Sequence, residues 1–233
     1  MDAALAWARG PLFVFSLTFL VLGLLRHVLL TAREYARTVR RAGDRRIPYR
    51  QVLRATGRWL FPVRKIRDQV LFSATSILFH AAVLLAPAFL AGHIALWRRG
   101  LGLSWPAIPN ALADVLAIVA VVTGIVLVVE RLAARATRRL SRLQDYLLPL
   151  LVALPFASGF LAMHPALDPF PFEATLLVHV LSGNLVLILV PITKLSHAAM
   201  LPSVQLVSEL GWKWPATAGS DVGRALGKEG APV

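Results

Sequence analysis

The chain has 233 residues, 57% of them hydrophobic, and a mean hydropathy of +0.67, well above the roughly 45–50% apolar content of soluble domains, which excludes an ordinary water-soluble globule. Lys and Arg number 25 against 12 Asp and Glu, a net charge of +13; in so apolar a chain the excess points to arginine-rich cytoplasmic loops and argues against a nucleic-acid partner. With no cysteine the chain supplies neither a disulfide nor a thiolate for an iron–sulfur cluster, which leaves histidine as its transition-metal ligand.

Five stretches are long enough to cross about 30 Å of hydrocarbon at roughly 20 residues each. They are Pro11 to Leu30, Val70 to Trp97, Leu112 to Val129, Tyr146 to Met163 and Phe172 to Met200. The first starts near the N-terminus like a signal peptide, but its apolar run is too long and no A-x-A cleavage site follows, so it reads as a span. Between the first and second spans, residues 32–68 hold twelve basic residues against three acids. The third-to-fourth connection adds Arg131, Arg135, Arg138, Arg139 and Arg142, whereas the second-to-third has only Arg98 and Arg99 and the fourth-to-fifth has none. Basic loops stay in the cytoplasm, so the N-terminus is expected outside and the C-terminus inside. The fold expected is an all-α, five-helix bundle, multi-pass in the cytoplasmic (inner) membrane. Its membrane domain spans residues 1–205, and a small, polar, mobile cytoplasmic tail is expected over 206–233.

Within the basic loop, "YRQVLRATGRWLFP" sets Arg50, Arg54 and Arg58 four apart among Val52, Leu53, Trp59 and Leu60. That pattern suits a helix lying on anionic lipid headgroups or against a partner protein, although a solvated linker obeying the orientation rule accounts for it equally well.

Four of the six histidines lie inside spans: His80 and His93 in the second, His179 and His197 in the fifth. An ionisable ring in lipid is costly and asks for a partner. The 18 residues from His179 to His197 make five turns of an ideal helix, placing both rings on one face about 27 Å apart, and the 13 residues from His80 to His93 span about 20 Å. Two helices that each carry a histidine at two depths match what two stacked haems require, one imidazole from each helix on each iron. With the second span running outward and the fifth inward, the depths pair His80 with His197 near the cytoplasm and His93 with His179 near the outer face. A single buried histidine is as often a hydrogen bond between helices as a ligand; two matched pairs favour the ligand reading. His27 and His164, at span ends, read as solvated. Gly92, Gly183, Ser182 and Ala81, Ala82 and Ala91 remove bulk beside the histidines, as a macrocycle needs and as plain helix packing also does.

The fifth span, "HVLSGNLVLILVPITKLSHAAMLP", resembles the gamma subunit of respiratory nitrate reductase and the related membrane cytochromes b of sulfur-metabolising and heterodisulfide-reductase-type complexes. The family pattern matches at His179, Gly183, Pro191, Lys194, Leu195, His197 and Pro202, and the "FH" and "GH" of the second span at Phe79–His80 and Gly92–His93. The resemblance covers roughly residues 10–205. It implies two haem b groups, with His80 and His197 holding the inner and His93 and His179 the outer. It also implies quinone or quinol as substrate, and an iron–sulfur subunit and a catalytic subunit as partners on the cytoplasmic face. Two features depart from the family. Thirteen residues on an ideal helix leave His80 and His93 about 140° apart, and the lysine associated with quinol is replaced by Ala111, Leu112, Ala113 and Asp114. Arg98, Arg99, His93, Gly92 and Asp114 are then the nearest candidates for a quinone site; Arg64, Lys65, Arg67 and Lys194 could offset haem propionates, although a plain orientation signal accounts for each of them more readily. No stretch resembles a nucleotide loop, a hydrolase triad or a zinc motif, so no terminal active site is expected in this chain. The rival readings are a proton-coupled transporter with a histidine–carboxylate relay and a cofactor-free membrane anchor.

Overall fold

The structure is a computed structural model and describes residues 1–41, 49–60, 70–197, 200, 207 and 218–229. Arg64, Lys65, Arg67 and Pro202, singled out above, lie outside them. Among the described residues every regular element is helical. In chain order these are α1 (Asp2–Arg9), α2 (Pro11–Arg41), α3 (Tyr49–Leu60), α4 (Val70–Phe89), α5 (Ala91–Leu101), α6 (Asn110–Ala133), α7 (Arg135–Leu140), α8 (Leu143–Met163), α9 (Phe172–Ile192) and α10 (Ala218–Ala225). Five helical stretches, at Asp2–Arg37, Val70–Phe89, Asn110–Ala133, Leu143–Met163 and Phe172–Ile192, are long and apolar enough to cross a membrane.

The chain divides into two compact units. The first, residues 1–20 and 66–194, is built on a row in which α6 packs against both α4 and α8, α8 packs in turn on α9, and α1 lies against α9. Its side chains are distributed in the reverse of a water-soluble core. Leu84, Ile118, Val122, Val129 and Leu154 point outward, while Ala82, Ala86, Ala120, Ala153, Thr75, Thr123 and Ser158 are buried. Lipid is as apolar as leucine, so nothing drives large side chains inward. Helices associate instead through small residues that let backbones approach, and through hydroxyls that turn back onto their own carbonyls. Ser158 Oγ donates to Leu154 O at 2.8 Å in this way. A Cβ on Gly124 of α6 would stand 3.2 Å from Phe79 Cε2, 3.3 Å from Pro149 O and 3.4 Å from Ala153 Cβ, so this glycine lets α4, α6 and α8 close together.

The expected spans differ from the helices where backbone chemistry intervenes. The first helical stretch starts at Asp2 rather than Pro11, bends at Gly10, and runs on to Arg41. The basic and alanine residues beyond Leu30 are good helix formers, and a helix need not stop where the hydrocarbon does. The second span is broken at Leu90, whose backbone is extended (φ −70, ψ 130), so that α4 and α5 are separate helices. Pro87 inside α4 lacks the N–H that would extend the ladder. The three carbonyls released around the break all find donors: Pro87 O takes His93 Nδ1 at 3.0 Å, Ala88 O takes Trp105 Nε1 at 2.8 Å, and Phe89 O takes Ile108 N at 3.0 Å. The fifth span ends at Ile192, one residue after Pro191. Thr193 is extended, its Oγ1 donates to Leu189 O at 2.7 Å, and a 3-10 turn follows at Lys194–Ser196. The 18 residues from His179 to His197 are therefore not five turns of one helix.

The second unit, residues 21–65 and 195–233, contains the rest of α2, α3 and α10. On α3, Arg50, Leu53, Arg54 and Arg58 are exposed while Ala55 and Thr56 are buried. Within residues 218–229, α10 is closed by Gly227 in the left-handed region (φ 63) and by Lys228 N donating to Gly223 O at 2.7 Å.

Candidate functional site

The break at Leu90 decides where His93 goes. A continuous helix would carry His93 about 140° round from His80; a new helix started at Ala91 sets its direction independently. In the first unit His93 of α5 and His179 of α9 come together with ring centroids 6.0 Å apart and planes only 7° from parallel. Both are half-buried.

Each ring is held by the carbonyl of a proline. His93 Nδ1 lies 3.0 Å from Pro87 O, and His179 Nδ1 lies 2.8 Å from Pro155 O, on the neighbouring α8. A carbonyl only accepts, so both Nδ1 atoms carry the proton, and both Nε2 atoms keep the lone pair that a metal requires. Such an outer hydrogen bond fixes ring orientation and raises ligand basicity. Gly159, one turn past Pro155, completes the seat of His179: a Cβ there would stand 2.9 Å from both Cε1 and Nδ1 of the ring. Around Gly92 and Gly183, in contrast, a Cβ would meet nothing within 4 Å, which leaves open space on the helix surfaces next to His93 and His179.

In kind, this donor set is one a haem would accept: two neutral imidazoles, each with Nδ1 protonated and Nε2 available, would be the protein's ligands to the iron, and the porphyrin would supply the other nitrogens. Among the described residues no group of three or more His, Cys, Asp or Glu side chains gathers to hold a bare ion.

The remaining candidates are distributed as follows. His80 is exposed on α4, beside the buried Phe79, with Nδ1 2.7 Å from Ser76 O. His197 belongs to the second unit. Arg98 is exposed on α5, five residues past His93 and so about 140° away around the helix. The Lys194 ammonium grips both carboxylate oxygens of Asp145, at 2.6 and 2.7 Å, while Asp145 Oδ2 accepts from Arg142 N at 2.8 Å. Lys194 thereby ties the end of α9 to the start of α8. Asp114 of α6 meets His164, at the end of α8, with Nε2 and Oδ2 3.4 Å apart.

The sequence reading missed Pro155, Gly159 and His164 as functional groups. "PFASG" did offer a signal for the first two, a proline and a glycine one turn apart on the same helix. Nothing local marked His164, whose partner is fifty residues away in the chain.

Fold and site together define a bundle, helical throughout its described regular elements, with five helices long and apolar enough to cross a membrane and two imidazoles brought together between α5 and α9. No family model matches the chain, and no solved structure gives a significant match. A protein of Nitratidesulfovibrio vulgaris (strain Hildenborough) is 32% identical over 200 residues, which cover 84% of this chain and 87% of that protein. The chain belongs to that protein's family.

Proposed function

We propose that the chain is the membrane cytochrome b subunit of a respiratory oxidoreductase complex in the cytoplasmic membrane. In this reading it carries electrons between a quinone near an outer haem b and an iron–sulfur subunit docked on its cytoplasmic face, with the catalytic subunit beyond. The observation that carries the reading is the His93–His179 pair: near-parallel rings at 6.0 Å, each with Nδ1 directed to a proline carbonyl. When bound, a haem supplies one-electron chemistry. The chain's own part is to present two neutral imidazoles in fixed orientation, to hold them through Pro87 and Pro155, and to keep the seat largely out of water. His80 and His197 are the ligands assigned to the inner haem, on the strength of the sequence pattern. The exposed arginines of α3, in the loop that the orientation rule assigns to the cytoplasm, would offer positive charge to an acidic partner or to anionic lipid.

A proton relay has less behind it, because Nδ1 of His93 and of His179 is tied to a backbone carbonyl, and the His164–Asp114 contact stands at one end of α6 and α8 rather than in a chain through the bundle. The test is spectroscopic. The purified chain reduced with dithionite is expected to show sharp alpha bands and about two haems by pyridine haemochrome. His93→Ala and His179→Ala should each remove the same single haem, and His197→Ala the other. A colourless preparation ends the proposal.

A further inference from the structure

A second constellation lies at one end of α6 and α8. His164 Nδ1 donates to Phe160 O at 2.8 Å, and the ring lies over Phe160 with centroids 4.3 Å apart. With that proton committed, Nε2 faces Asp114 Oδ2 at 3.4 Å, a contact that is attractive only when a proton lies between the two. Both side chains remain about one third exposed, at 34% and 32%. The pair therefore presents a donor and an acceptor to a visitor, and in that state it carries no net charge.

Directly beyond the pair, along the same two helices, is a groove of about 270 Å³ lined only by apolar side chains, among them Ala117 and Val121 of α6 and Ala157, Phe160 and Leu161 of α8. Ala117 stands one turn from Asp114, Leu161 one turn from His164, and Phe160 belongs to both features. Ile118 and Val122, which also line the groove, are 48% and 52% exposed, so it opens on the face of the bundle that lipid would cover. The volume sits just below the roughly 300 Å³ at which small-molecule pockets begin. That is room for a ring and the first part of a chain whose remainder lies in lipid.

We infer that the Asp114–His164 pair and the groove between α6 and α8 bind the head ring and proximal tail of an isoprenoid quinol. A neutral donor–acceptor pair suits hydroxyl and carbonyl oxygens and gives a phosphate headgroup no counter-charge, while the Phe160 ring and the alanine floor suit a flat ring with a hydrocarbon tail. Of the quinone candidates named from the sequence, Asp114 belongs to this site, whereas Arg98, Arg99, His93 and Gly92 do not. It communicates with the paired imidazoles through α8, since His164 is five residues, about 7.5 Å of helix rise, from the Gly159 that seats His179. The inference rests on the cytochrome reading only for the choice of a quinol as occupant.

The experiment titrates the full-length protein, in phosphatidylcholine nanodiscs, with the fluorescent quinol analogue 2-heptyl-4-hydroxyquinoline N-oxide. Variants His164→Gln and Asp114→Asn are expected to weaken binding at least about tenfold, the loss of one charge-assisted hydrogen bond. Ala157→Phe, which fills the groove, should abolish binding, and Arg98→Gln should leave it unchanged. Displacement of the probe by a menaquinone but not by phosphatidylglycerol supports the site. Displacement by phosphatidylglycerol alone overturns it in favour of a lipid groove. A coloured protein whose probe affinity ignores all three site variants overturns the inference and leaves the cytochrome reading standing. A colourless protein whose affinity collapses in His164→Gln sinks that reading and keeps the site.

Discussion

Gly159 provides a sharp test of the paired-imidazole seat. Replacing it with alanine puts a methyl carbon 2.9 Å from Cε1 and Nδ1 of His179, whereas ordinary carbon contacts lie at about 3.5–4.0 Å. The ring has to retreat by roughly 0.6–1 Å. Its hydrogen bond to Pro155 O, now 2.8 Å, then stretches toward or past the range of about 2.7–3.2 Å in which such bonds hold. Losing an outer hydrogen bond of this kind lowers metal affinity by about 10–100-fold, or roughly 1.4–2.8 kcal/mol. The assay is haem titration into the apoprotein, followed at the alpha band, with melting temperature as the fold control. Gly124→Ala is the comparison, because its Cβ would meet Phe79, Pro149 and Ala153 at 3.2–3.4 Å and no histidine. It should cost about 1–3 kcal/mol of stability through overpacking and leave haem affinity alone. Wild-type affinity in Gly159→Ala, or equal haem loss in both variants, would refute the reasoning.

Pro87→Ala restores an N–H in α4 and removes a cause of the break at Leu90; if the two helices fuse, His93 swings away from His179, so loss of the outer haem with retention of the inner is the expected spectrum. Asp145→Ala removes both the Lys194 ion pair and the cap on Arg142 N, and should cost about 1–2 kcal/mol in denaturant or thermal unfolding with haem content unchanged. Asn184, only 2% exposed, donates to Ala8 O at 3.0 Å; Asn184→Ala should free α1 from α9, read as faster hydrogen exchange over residues 2–9 with unaltered exchange in α6 and α8. Unchanged protection there would show that packing alone holds α1.

The number of long apolar helices and the placing of the basic stretches between them were legible in the sequence, because hydropathy and charge are properties of one residue and its immediate neighbours. That Pro87 and Pro191 would free backbone carbonyls and disturb their helices was legible too, but not the form the disturbance takes. Whether a proline bends, breaks or ends a helix depends on which donors reach the freed carbonyls. Here Trp105 and Ile108, in the loop before α6, reach back to Ala88 and Phe89 and stabilise a break at Leu90. Ideal-helix counting therefore misplaced His93 relative to His80, and it overran Ile192 in relating His179 to His197. Only the tertiary structure decided that the His179 ring is carried by Pro155 and cradled by Gly159 on another helix, and that Asp114 meets His164. Those pairings depend on which helices are neighbours and at what height, quantities that small buried residues such as Gly124 and Ala153 set through close backbone approach. In lipid, large apolar side chains do not select partners, so the pattern that announces each helix says little about what it will face.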